Sequence, residues 1–103
     1  MANYVLLYHG GGMPESPEEG AKVMEAWTAW FGQLGDALVD GGNPAGKART
    51  IAANGSVSDD ATSPSGYSII KAGSLDEAVA LAQGCPVLHG GASVQVVETY
   101  AAM

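Results

Sequence analysis

Two histidines, one thiol and a few carboxylates and amides are the groups in this sequence with chemistry to offer, and most of them sit beside glycine. His9-Gly10-Gly11-Gly12 has the form of an oxyanion-hole segment. Hydrolases that use such a segment also need a Gly-x-Ser-x-Gly elbow. The nearest match, Gly66-Tyr67-Ser68-Ile69-Ile70, lacks the second glycine and reads as a strand. Gly41-Gly42-Asn43-Pro44-Ala45-Gly46-Lys47-Ala48 is one residue from a phosphate loop. Ala48 stands where a Mg²⁺-ligating hydroxyl is required, and the segment leads into strand-like Arg49-Thr50-Ile51, so nucleotide hydrolysis is not expected. Cys85-x-x-x-His89 has a feasible ligand spacing, yet no motif specifies a metal geometry, and neither metal nor cofactor is expected.

Acid–base work on a small ligand is the chemistry that remains. Histidine titrates near neutrality, and a carboxylate such as Asp40 can orient it or raise its pKa. His9, Asp40 and His89 are therefore the candidate catalytic set, against the plainer role of strand-end and loop residues satisfied by backbone carbonyls. Tyr8, Trp27, Asn43, Tyr67 and Cys85 are candidate ligand-binding residues, because small-molecule pockets are mainly aromatic with a few polar groups at the rim. At helical spacing Trp27, Trp30 and Phe31 suit an ordinary core equally well.

Positioning these residues requires a particular set of elements. Asn3 to His9 reads as a strand with Tyr4, Leu6 and Tyr8 on one face and Val5, Leu7 and His9 on the other, apolar on both sides. Ser16-Pro17-Glu18-Glu19 opens a helix with a capping box, and Val23, Trp27, Phe31 and Leu34, with Met24 and Trp30 beside them, form its apolar stripe as far as Gly35. Ala37-Leu38-Val39 is a short strand. Asn54-Gly55 between Arg49–Ala52 and Ser56–Ser58 predicts a hairpin closed by a type I′ turn. Asp59 to Gly66, with Asp59-Asp60 at its start, reads as an exposed acidic loop, and Tyr67–Lys71 as a strand. A second capping box at Ser74-Leu75-Asp76-Glu77 starts a shorter helix that stops at Gly84-Cys85-Pro86, and Ser93–Tyr100 is the last strand.

The order is β-α-β, a hairpin insert, then β-α-β, the split pair of units of an α+β, ferredoxin-like sheet with helices on one face. In that topology the glycine-rich segments, His9, Asn43, Cys85 and His89 fall at one end. The first strand has no polar side to show to water, so its second face needs a cover, and a second copy of the sheet is the simplest one.

At 103 residues the chain suits one domain, residues 1–103, with one modest core. Its formal charge of −7, doubled in a dimer, disfavours nucleic acid and anionic membrane surfaces as partners. The start lacks a basic n-region with a long apolar core, no apolar run approaches the roughly 20 residues of a membrane span, and a cytoplasmic location is expected. A single cysteine excludes an intrachain disulfide.

Tyr4-Val5-Leu6-Leu7-Tyr8, Pro17-Glu18-Glu19, Leu38 to Pro44, Gly66 to Ile70, and Ser74 to Ala78 with Cys85-Pro86 downstream together resemble the YCII-related domain family over nearly the whole chain. The resemblance implies a ferredoxin-like fold that dimerises into an α+β barrel. One branch of that family is associated with a His-Asp pair, and here Met24 and Cys85 occupy those two positions. A sister branch carries a DGPF motif, which is broken here in the stretch Ser58-Asp59-Asp60-Ala61-Thr62. The expected function is a homodimer with a small-molecule pocket at the glycine-rich end. Two alternatives stand beside it: a small isomerase-, lyase- or hydrolase-type enzyme using a histidine, and a protein-interaction module.

Overall fold

A computed structural model describes residues 1–11, 16–59 and 63–101. Gly12, and Asp60, Ala61 and Thr62 of the expected acidic loop, lie outside them. The class is mixed α+β. The elements are β1 (Ala2–Gly10), α1 (Pro17–Leu34), β2 (Leu38–Asp40), β3 (Arg49–Ile51), β4 (Val57–Asp59), β5 (Gly66–Ala72), α2 (Leu75–Ala82) and β6 (Ala92–Glu98), with short 3-10 segments at Gly35–Ala37 and Pro86–Gly90.

Four strands form an antiparallel sheet in the order β2-β5-β1-β6, and β3 and β4 pair only with each other. β1 is central. Its alternation sends Tyr4, Leu6 and Tyr8 inward, where they are buried, while Val5, Leu7 and His9 are half-buried on the opposite face. Cross-strand register places Ile70 and Ser68 beside Tyr4 and Leu6 on the inner face, and both helices close over them through Trp30, Leu34, Ala78 and Ala82.

Both helix starts follow the capping logic of the sequence. Ser16 Oγ accepts from the Glu19 amide and Ser74 Oγ from the Glu77 amide, each satisfying a donor that the first helical turn leaves open. The stripe on α1 is only partly used. Trp30 and Leu34 are buried and Trp27 and Phe31 half-buried, whereas Val23 and Met24 remain exposed. Eighteen helical residues extend about 27 Å. The side chains of α1 that pack on the core, Trp27, Trp30, Phe31 and Leu34, all lie in its second half.

The hairpin exists but its turn differs from the expected type I′. No described residue other than glycine has positive φ, so Asn54 does not adopt the left-handed conformation a type I′ turn requires. Instead the Gly55 amide donates to the Ala52 carbonyl, the Ala52 amide to the Ser56 carbonyl, and Gly55 alone is left-handed at φ 88°. This is a three-residue loop with a glycine bulge. Asn54 Oδ1 accepts from the Ser56 amide and hydroxyl, which holds the loop without strain on Asn54.

Leu6 is fully buried under both helices, so Leu6→Ala should cost about 2–5 kcal/mol in urea unfolding. Gly42 has φ 77°, and a Cβ there would run into the Tyr67 carbonyl. Gly42→Ala should accordingly cost more than about 1 kcal/mol in the same measurement.

Candidate functional site

The antiparallel registers bring the glycine segments together. Tyr8 lies opposite Gly66, and Gly10 opposite Ala92. Gly11 sits against Gly90 and Ala92, and Pro44 bridges to Gly66. The Tyr67 amide donates to the Asn43 carbonyl, tying the segment after β2 to the start of β5.

Inside this end runs a buried polar chain. The Tyr8 hydroxyl donates to Ser68 Oγ at 2.7 Å, and Ser68 Oγ donates to the Gly41 carbonyl at 2.8 Å. Cys85, fully buried, lies close enough to the Tyr8 hydroxyl for each to influence the other's titration. The direction of the chain is thus Tyr8 to Ser68 to Gly41, and no side-chain nitrogen or oxygen among the described residues is buried without a partner. Burial pushes the Tyr8 phenol well above its ordinary value, partly offset by the Ser68 hydrogen bond. Burial also raises the Cys85 thiol, against the opposing hydrogen bonds from the Val87 backbone and Tyr8. Both groups are therefore neutral at ordinary pH, and a protonated, inaccessible thiol is a poor nucleophile.

Over this chain lies an aromatic cluster. Trp27 meets Tyr8 edge-on at 5.6 Å and Trp30 at 5.6 Å, and its ring lies 5.5 Å from Phe31. Trp30 is core, its indole N–H donating to the Leu81 carbonyl at 3.2 Å. Trp27 is half-buried and forms the outer edge of the cluster. A side chain at Gly41 would press on the Phe31 ring, so glycine there permits the ring to lie against the backbone.

Tyr8 thus lies near both Trp27 and Cys85, and the remaining candidates lie elsewhere at the same end. His9 follows Tyr8 and so faces the side of the sheet away from the helices, where its Nε2 lies 3.3 Å from Gln95 Oε1. Tyr67, opposite Leu7, shares that face. Asp40 is exposed and accepts from the Gly42 amide at 2.8 Å, which fixes the turn out of β2. Asn43 is exposed, and His89 is exposed in the 3-10 segment Pro86–Gly90. No hydrogen bond or ion pair among the described residues joins His9, Asp40 and His89 to one another. Nor does any group of three or more His, Cys, Asp or Glu side chains come together among the described residues.

Two features escaped sequence reasoning. Ser68 is the centre of the polar chain, and its signal was its inward position in an otherwise apolar strand. The other is a hollow of about 130 Å³ between α2 and β6, lined by Val79, Ala82, Gln83, Leu88, Val94 and Val96. None of the candidate residues lines it.

The fold class and site geometry define an α+β protein with no described helix long and apolar enough to cross a membrane. No family model and no curated protein matches the chain.

Cys85 should resist a thiol reagent in the folded protein and react stoichiometrically once urea unfolds it. Because the Cys85 and Tyr8 pKa values are raised by folding, the folded chain keeps protons that the unfolded chain releases. Their contribution to stability is complete below the ordinary thiol value of 9.0 and is lost as pH rises beyond it, then beyond the phenol value of 10.0. Urea midpoints taken from pH 7 to 10.5 should fall, and less steeply in Cys85→Ala.

Proposed function

We propose that the chain is a YCII-related protein of ferredoxin-like topology that acts as a homodimer, joined sheet to sheet as an α+β barrel, and holds a small neutral or weakly polar molecule at its glycine-rich end. The strand order β2-β5-β1-β6, antiparallel throughout, supports the topology once β3 and β4 are set aside as an insert.

One observation carries the dimer. Away from the helices the sheet presents Val5, Leu7, Tyr67, Ile69 and Val97, all half-buried at most. Both helices belong to the core on the other face. An apolar sheet face of this kind is stable when another layer packs on it, and a second identical sheet satisfies the requirement by a two-fold axis. Sedimentation equilibrium should give twice the 10.4 kDa chain mass. Leu7→Glu places a carboxylate in the centre of the face and should shift the species to a monomer with its far-UV circular dichroism retained. A wild-type monomer at millimolar concentration would refute the dimer.

The ligand rests on Trp27. Its half-buried ring, edge-on to Tyr8 and above a neutral hydrogen-bonded chain, suits an uncharged, partly aromatic molecule rather than an ion. Titrating neutral aromatic amides and phenols should quench tryptophan fluorescence saturably, and Trp27→Phe should abolish the saturable part. Quenching that survives in Trp27→Phe would place the ligand elsewhere.

A further inference from the structure

At the tip of the β3–β4 hairpin, Gly55 supplies the left-handed residue at φ 88° and Asn54 supplies an acceptor, but the pair also has chemistry of its own. The side-chain amide of an asparagine is an electrophile, and the peptide nitrogen of the following residue is the nucleophile nearest to it. Three asparagines stand in the chain, and they differ in that nitrogen. Asn43 precedes Pro44, whose nitrogen has no hydrogen to give up. Asn3 precedes Tyr4, whose amide is held in the central strand between Ile70 and Glu98. Asn54 precedes glycine, which has no side chain to crowd the approach, and Asn54, Gly55 and Ser56 are all exposed.

The geometry points to Asn54 as a site of self-modification, where the chain converts its own amide to a carboxylate with help from Ser56. Asn54 Oδ1 accepts from the Ser56 amide at 2.9 Å and from the Ser56 hydroxyl at 2.7 Å. Reaching the amide two residues on folds the side chain back over the Gly55 peptide. The two donors also stand where negative charge develops on the carbonyl oxygen under attack. One native contact opposes the step, since the Gly55 amide donates to the Ala52 carbonyl at 2.8 Å. That bond closes the exposed end of a two-stranded ladder of three residues a side, and such loops open at little free-energy cost. Hydroxide then removes the Gly55 amide proton, the nitrogen bonds to Asn54 Cγ, and the side-chain nitrogen leaves as ammonia to give a cyclic imide. Water adds to the imide and breaks one of its two ring C–N bonds. Breaking the new bond leaves aspartate at position 54, and breaking the original peptide bond leaves isoaspartate, with the backbone running through Cβ. Either product adds a negative charge to a chain that carries −7. Isoaspartate also lengthens the loop closed by the bond from the Ala52 amide to the Ser56 carbonyl. Because β3 and β4 pair only with each other, the change stays within the hairpin.

Peptide mapping by mass spectrometry of protein held at pH 8, folded and in urea, tests the site. Asn54 should convert in the folded chain within about tenfold of its rate in the unfolded chain, because an exposed loop opens freely. Asn3 and Asn43 should stay intact in the folded chain, and the urea midpoint should not move as conversion proceeds. Ser56→Ala removes one donor and should slow conversion about three- to tenfold in the folded chain alone, the worth of one exposed hydrogen bond. Asn54→Gln, whose longer side chain closes a larger ring, should hold its charge in isoelectric focusing while wild type turns more acidic. An Asn54 that survives in the folded chain and converts only in urea overturns the site. Conversion of Asn3 or Asn43 as fast as Asn54 overturns it as well, and a folded Ser56→Ala chain that converts at the wild-type rate overturns the part assigned to Ser56.

Discussion

The central position of β1 is the constraint from which the rest of the structure follows. A strand flanked on both edges must find partners for all its backbone groups, and β5 and β6 supply them in unbroken antiparallel register. Its side chains then divide strictly between two faces. Tyr4, Leu6 and Tyr8 define how wide and how long the inner core can be, and both helices must fit over that stretch. The first half of α1 leaves Val23 and Met24 in water, and the face that the helices do not cover leaves Val5 and Leu7 half-open.

The same register decides what the glycine-rich end is. Tyr8 is the last inward residue of β1, and its phenol has to be satisfied in a place that water does not reach. Ser68 on β5 does this, and the Gly41 carbonyl just after β2 accepts from Ser68 in turn, so one hydrogen-bonded chain links β1, β5 and the turn out of β2. Such a chain specifies a single packing, because moving any member leaves a buried polar group unpaired. Burial beside it removes the thiol from reaction, and the accessible chemistry of this end passes to Trp27 and to the exposed turn around Asp40 and Asn43.

Much of this was legible in the residues. Alternation in Tyr4 to His9 reports the division of faces, and the two Ser-x-x-Glu boxes report the helix starts, because both signals depend on neighbours a few positions apart. The hairpin was legible from Asn54-Gly55, but its turn type was not, since one extra loop residue converts two left-handed positions into one and the choice depends on register with the opposite strand. The depth of each α1 side chain was equally hidden. Periodicity says which residues share a stripe, and the way the helix packs on the sheet says how many of them are used.

The residues by themselves therefore determined the element order, the faces of β1 and the gathering of glycine, histidine and thiol segments at one end, all consequences of local periodicity and of chain connections. Tertiary structure alone decided that Tyr8 turns inward to a polar chain with Cys85 buried nearby while His9 turns to the opposite face, and that β3 and β4 are exposed. Those outcomes depend on pairing between strands up to 86 residues apart, as His9 and Gln95 are, and no local pattern carries that register.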